Sequence, residues 1–179
     1  AGVDGLMLTC AGAGGHTGFL TPLAFVPAVR RIWSGLLIVA GGIADVNGMA
    51  GALALGGDIA AMGTRFIATP ESGVVDGHRA MIPTECMDAI IASAAINGVP
   101  AHWMRSSIEA VGLDPQTLPN VRSEMPEGVV PWRDIWSAGQ SVGLIDAVEP
   151  VADLVERLAT EFKSLPNLPD WRARLTQLT

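Results

Sequence analysis

The apolar run Gly2-Val-Asp-Gly-Leu-Met-Leu-Thr9, followed after Cys10 by Ala11-Gly-Ala-Gly-Gly-His-Thr-Gly18, decides the fold of this chain. Val3 to Thr9 is too short for a helix and too apolar for a surface loop, so it predicts a strand. Gly12, Gly14, Gly15 and Gly18 leave a backbone open to the close approach of a ligand. Parallel α/β proteins keep their chemistry at such strand ends, which puts His16 at a strand mouth. A flexible turn carrying a solvated histidine is the alternative reading at this point.

Two more strand-to-glycine junctions follow. Leu36-Leu-Ile-Val-Ala40 runs into Gly41-Gly-Ile-Ala-Asp45, and Asp58-Ile-Ala-Ala-Met62 runs into Gly63-Thr-Arg-Phe66. Between the first two strands, Thr21-Pro22 opens a segment with Leu23, Val26, Ile32 and Trp33 at helical spacing, a crossover helix. Between the second and third, Asp45 or Asn47 can cap a small-residue helix that Gly56-Gly57 ends. The pattern β-loop-α-β-loop-α-β with strands apolar throughout predicts a parallel sheet buried on both faces, in a barrel or a doubly wound fold.

Consecutive glycines at a strand end let backbone N–H groups converge on an anion, and a following helix adds the positive end of its dipole. Gly41-Gly42 and Gly63-Thr64 offer this from neighbouring strands. Either pair alone also fits an ordinary tight turn; two on adjacent strands point to a phosphate site, which (β/α)8 barrels place after strands seven and eight.

These residues resemble the flavin-dependent nitronate monooxygenases, formerly 2-nitropropane dioxygenases, and the related flavin-dependent enoyl reductases. The resemblance rests on Ala13-Gly-Gly-His-Thr-Gly18, Ile38-Val-Ala-Gly-Gly-Ile-Ala-Asp45, Ala52-Leu-Ala-Leu-Gly56, Met62-Gly-Thr-Arg-Phe66, Thr69-Pro-Glu-Ser72 and Trp136-Ser-Ala-Gly-Gln140. It is dense over residues 2–72, thinner over 73–163 and absent from the last sixteen residues. It implies an FMN-binding (β/α)8 TIM barrel of which strands 3–9, 36–40 and 58–62 look like the sixth, seventh and eighth. At 179 residues against the ~250 typical of such a barrel, the chain reads as the C-terminal part of a longer protein whose first strands lie elsewhere. Residues 1–72 then form the βαβαβ part of the barrel, and 73–179 a mostly helical extension packed on it.

The resemblance further implies FMN as cofactor, with Gly14 and Gly15 along the isoalloxazine, Gly41, Gly42, Gly63 and Thr64 at the 5′-phosphate, and Met62 beside them. His16 takes the place of the family's active-site histidine. An imidazole serves there because it titrates near neutrality and can accept a proton or stabilise an anionic substrate. The implied reaction is oxidation of alkyl nitronates with O2. The alternatives are an NAD(P)H-dependent enoyl reductase acting on an enoyl thioester, or a catalytically silent barrel part kept as a binding or assembly module. Gly12 and Thr9 stand where many relatives carry Glu and Gln.

Net charge is −7, from 11 Lys and Arg against 18 Asp and Glu, with no basic cluster, which argues against nucleic acid. Apolar residues make up 49% of the chain, but Asp, Arg and Gly break every run short of the ~18 residues a membrane helix needs. Cys10 and Cys86 suit a reducing compartment, and the cytoplasm is the expectation. No His, Cys, Asp or Glu set has metal-ligand spacing, so no metal is expected. An incomplete barrel piece with a raw sheet edge predicts self-association.

Beyond Phe66, residues 71–96 read as helical, with Met81, Ile82, Met87, Ile90 and Ile91 as an apolar core stripe and Cys86 within the helix. A second helix follows around Ser106 to Val111. Residues 112–131, with four prolines, form a connector or lid. Pro150 opens a helix with Val151, Leu154, Val155, Leu158, Ala159 and Phe162 on one face, and the tail with Pro166 and Pro169 is expected to fray. Arg30-Arg31 reads as a helix-surface pair, His78 as solvated in a polar turn, and His102 as a packing or capping residue near a helix start.

Overall fold

In the computed structural model, which describes residues 2–165, three parallel strands form where the glycine junctions place them. They are β1 (Gly5–Thr9), β3 (Leu36–Ala40) and β4 (Ile59–Ala61), hydrogen-bonded in the order β1-β3-β4. The register pairs Leu8 with Val39 and Thr9 with Ala40, and Ala40 in turn with Ala61, so the three C-terminal ends finish level. Between them run α1 (Pro22–Arg30) and α2 (Val46–Ala54). Pro22 stands in the first turn of α1, where its missing N–H costs nothing. Asp45 caps α2 by accepting from the Gly48 amide at 2.8 Å.

Both helices cover one face of the sheet. Leu8, Cys10, Val26, Leu37, Val39, Ile43 and Ala52 make that core, and Leu37 and Val26 are wholly buried. Truncating Leu37 to Ala would cost about 2–5 kcal/mol. The sheet is anchored below by Arg30, whose guanidinium donates to the carbonyls of Gly56 (2.7 Å) and Gly35 (2.9 Å) and to Asp58 (2.6 Å). Arg30 is therefore a clamp between helix and strand ends rather than a surface charge. Arg30 also holds the Asp58 carboxyl below its ordinary pKa, and the Leu37 amide adds to this.

The opposite face is open. Met7 (59% exposed), Leu36 (41%) and Ile59 (44%) project from it, against the expectation of a sheet buried on both sides. The cause is architectural: all the helices that cover the sheet lie on the Leu8–Val39 face. Among the described residues the three parallel strands do not close into a barrel.

The helical reading of residues 71–96 is corrected. Only α4 (Asp76–Met81) is helical there, preceded by the single turn α3 (Thr64–Ile67); short 3-10 turns at Ile82–Thr84 and Met87–Ala89 lead into β5 (Ile90–Ser93). β5 pairs antiparallel with β6 (Ala101–Met104), and β6 pairs with β2 (Gly15–His16), so the glycine loop itself contributes a strand to a second sheet. The apolar stripe was shared out by tertiary pairing: Ile82 is buried, Met87 is 53% exposed, and Cys86 is an exposed thiol between the turns. His102 lies within β6, just before the helix that opens at Arg105.

After α5 (Arg105–Ala110) the chain runs without helix or strand across residues 112–131, as a connector. Its Leu113, Leu118, Met125 and Val129 pack on Trp103 and Ile108. Finally α6 (Val151–Ser164) seats Leu154 and Leu158 on Val46 of α2; Val155 of the anticipated face is half exposed. The tail with Pro166 and Pro169 lies outside the described residues. Among those described, no helix is long and apolar enough to cross a membrane.

Candidate active site

A cleft of about 380 Å³ opens at the level C-terminal ends of the parallel strands, lined by Thr9, Ala40 and Ala61 at the strand mouths. This lies within the size range of small-molecule and cofactor sites. Gly14, His16, Gly41, Gly42, Met62, Gly63 and Thr64 all line it, so seven of the eight anticipated residues converge there; Gly15 does not. Gly15 turns toward Trp132 instead, whose ring atoms would lie 3.6–3.7 Å from a Cβ at that position.

Gly41 and Gly42 hold φ of 121° and 73°, left-handed values that only glycine adopts cheaply. A Cβ at Gly63 would meet no atom within 4 Å, which marks open space above this backbone. Among the described residues no Lys or Arg lines the cleft. Arg65, next in sequence, is 3% exposed and turns away, donating to the Ala147 carbonyl (3.1 Å) and Glu149 (2.7 Å), with its Nε buried and unpartnered.

The far wall comes from Ser137, Ala138 and Ser141, which the sequence reading did not assign to the site. Small residues carry no chemical signal of their own. Beside them the chain approaches the glycine loop closely. A Cβ on Gly14 would stand 2.6 Å from the Gly139 nitrogen, and one on Gly139 would stand 2.6 Å from the Gly12 carbonyl. Two backbones touch here, locked by the Gln140 amide on Gly12 O (2.9 Å) and the Gly139 amide on Thr64 Oγ1 (2.8 Å). A larger residue at position 12 would be strained by its φ of 97° and would press on Gln140 Oε1, 3.2 Å from the Cβ position.

His16 is the exposed second residue of β2. Its Nε2 lies 2.9 Å from the Asn97 amide nitrogen, and its ring stands edge-on to Trp132 at a centroid distance of 5.4 Å. Trp132 has φ of 71°, an outlier for a bulky residue that costs of order 1–3 kcal/mol. Packing against Trp103, at 4.4 Å between centroids, holds it there. Neither Asn97 nor Trp132 was legible as a neighbour of His16, because both arrive by long-range contacts.

The other histidines brace the walls. The His102 Nδ1–H donates to the Ala13 carbonyl at 2.7 Å. His78 is buried, not solvated: it stacks on Trp136, and its Nε2–H donates to the Ser137 carbonyl at 3.0 Å. Burial moves the His78 pKa below its ordinary value. Among the described residues, no group of three or more His, Cys, Asp or Glu is arranged to hold a metal ion.

A glycine-lined cleft at the carboxyl ends of parallel strands, with one histidine at its rim, is the site architecture of TIM-barrel-type α/β enzymes. The chain belongs to the nitronate monooxygenase family, whose model matches residues 1–161. It is 34% identical to the nitronate monooxygenase of Paraburkholderia phytofirmans over 91% of this chain and 50% of that protein. Its structure resembles FabK from Thermotoga maritima, with a TM-score of 0.71 and 31% identity over 99% of this chain and 58% of that one. It also shares the fold of the nitroalkane oxidase of Streptomyces ansochromogenes, with a TM-score of 0.70 and 24% identity over 90% of this chain and 52% of that one. The chain thus spans about half the length of these relatives.

Proposed function

We propose that this chain provides the cofactor-holding and acid-base part of an FMN-dependent oxidoreductase that oxidises alkyl nitronates with O2. The observation that carries this reading is the convergence of Gly41-Gly42, Gly63-Thr64 and His16 on one cleft. The residues fit the cofactor: a left-handed glycine pair and an unfilled space over Gly63 make a cradle of backbone donors for a phosphate. Gly42, Gly63 and Thr64 would hold the phosphate through their N–H groups, while Gly14 and Met62 flank the ring. Gly15 supports the loop from outside. When bound, the flavin supplies the two-electron redox chemistry.

The chain's own residues do the rest. His16 exchanges a proton with the substrate or bears on its negative charge. The Gly12–Gly139 contact fixes the glycine loop, and the Thr64 hydroxyl accepts from the Gly139 amide, which ties this junction to the far wall. The likeness to FabK favours a second reading, an NAD(P)H-dependent enoyl reductase. A silent binding module is the third. Anaerobic reduction separates them: bleaching of the flavin by a nitronate supports the first, bleaching by NAD(P)H supports the second, and absence of flavin in the whole protein supports the third.

The exposed Met7, Leu36 and Ile59 face supports a further part of this reading, namely that additional strands of the whole protein cover it and complete the barrel. Residues 1–179 made alone would then associate on size exclusion and bind FMN weakly. A compact monomer with tight FMN binding would overturn this. Two free cysteines, one of them buried Cys10 with its thiol pKa raised by burial, favour a reducing cytoplasm as its setting. We further read residues 73–179 as an extension of the same barrel unit rather than a second domain.

A further inference from the structure

We propose that Asn97 is a positioning residue that fixes the tautomer of His16, so that the imidazole meets the substrate as a neutral Nδ1–H donor to a negatively charged oxygen. The proposal rests on the reading of His16 as the active-site histidine and specifies how it works. The Asn97 amide sets the direction of this contact. Its Oδ1 accepts from the Val99 backbone N–H at 3.2 Å, which leaves Nδ2, a pure donor, facing His16 Nε2 at 2.9 Å. An Nε2 that carried a proton would oppose N–H to N–H. The proton of the neutral ring therefore sits on Nδ1, which has no hydrogen-bond partner among the described residues.

A second contact braces the ring: Trp132, held at a left-handed φ by Trp103, stands edge-on to His16 at 71° between planes. A base needs a free lone pair, and the only lone pair of this tautomer is engaged by Asn97. The group left for a ligand is a donor. It suits a substrate whose reacting form already bears charge on oxygen, such as a nitronate or the enolate oxygen of a thioester, and disfavours one that must first surrender a carbon-bound proton to His16.

Nitrogen-15 spectra of the flavin-loaded whole protein, labelled at histidine and recorded at about pH 8, where ordinary imidazoles are neutral, test this. The His16 signals are identified by their loss in His16→Gln. The expected pattern is a protonated Nδ1 and a bare Nε2, the same as His102 and the reverse of His78. Asn97→Asp, whose carboxylate accepts from Nε2–H, should reverse the pattern, keep the flavin, and lower kcat/KM for a nitronate by ~10-fold or more. A protonated Nε2 in the unaltered protein would overturn the proposal whether or not the variant folds. So would Asn97→Asp with an unchanged spectrum, or with a reversed spectrum and full turnover. Full turnover in His16→Gln would instead remove the active-site reading beneath it, leaving the tautomer itself to the spectrum.

Discussion

The imidazole of His78 lies flat on the indole of Trp136, with centroids 5.5 Å apart and planes 9° from parallel. Burial lowers the pKa of this ring, and the bond to the Ser137 carbonyl opposes the shift only in part. The unfolded chain therefore takes up this proton at higher pH than the folded one. The stability it supports is complete above about pH 6.5 and is lost as pH falls from there toward the folded value. Thermal unfolding followed between pH 7.5 and 5 should show this decline, and His78→Phe, which keeps the stack without the titration, should flatten it. Equal slopes in the two proteins would refute the assignment.

Gly63→Val separates cofactor binding from folding. A Cβ at this position meets no protein atom within 4 Å, so Tm should change little, while the side chain fills the cradle. The whole protein carrying this change should purify with most of its flavin lost. Retention of stoichiometric flavin would refute the phosphate assignment.

Gly139→Ala makes the opposite prediction. Its Cβ would stand 2.6 Å from the Gly12 carbonyl and 3.0 Å from the Gly14 nitrogen, both backbone atoms that cannot step aside. The Gly139–Thr64 bond and the glycine loop should shift together, with a loss of about 1–3 kcal/mol in stability and of ligand affinity. Denaturant titration reads the first and flavin fluorescence the second; an unperturbed protein would mean that the two backbones are not in contact.

Glu149 joins two arginines, buried Arg65 at 2.7 Å and half-exposed Arg157 at 2.8 Å. The hydrogen bond from Arg157 chiefly, and then that from Arg65, lowers its pKa, so the stability it confers is present above the ordinary glutamate range and is lost as pH falls below it. Glu149→Gln leaves the Arg65 charge buried without its counterion and should cost about 3 kcal/mol. Arg157→Ala, at the exposed side, should cost about 1 kcal/mol or less. Chemical denaturation of both variants checks the ordering, and equal costs would contradict it.

The parallel strands were legible to within two residues because each is written locally, as an apolar run that a glycine ends. The cleft's glycines and His16 were legible for the same reason. What failed was everything that needs a distant partner. Ile90–Ser93 has no strand signature apart from β6, and Met81, Ile82 and Met87 mimic a helical stripe, although Met81 and Ile82 join one core cluster while Met87 is exposed. His78 looks solvated among Asp76, Gly77 and Arg79; it is the Ser137 carbonyl, 59 positions away, that makes it interior. Ser137, Ala138 and Ser141 form a wall by being small, which composition records but does not explain.

The pairing of β2 has a consequence for how the cleft behaves in time. Gly41, Gly42 and Gly63 are carried by the parallel sheet, whereas His16 is bound by backbone only to Ala101 of β6, in the other sheet. The two halves of the site therefore sit on different sheets. If these open separately, the fraction of molecules with the imidazole at the rim follows detachment of the β5–β6 hairpin. A substitution at fully buried Trp103 would reset that fraction from a distance, and amide exchange at His16 would keep pace with the hairpin while that of the cradle stayed slow.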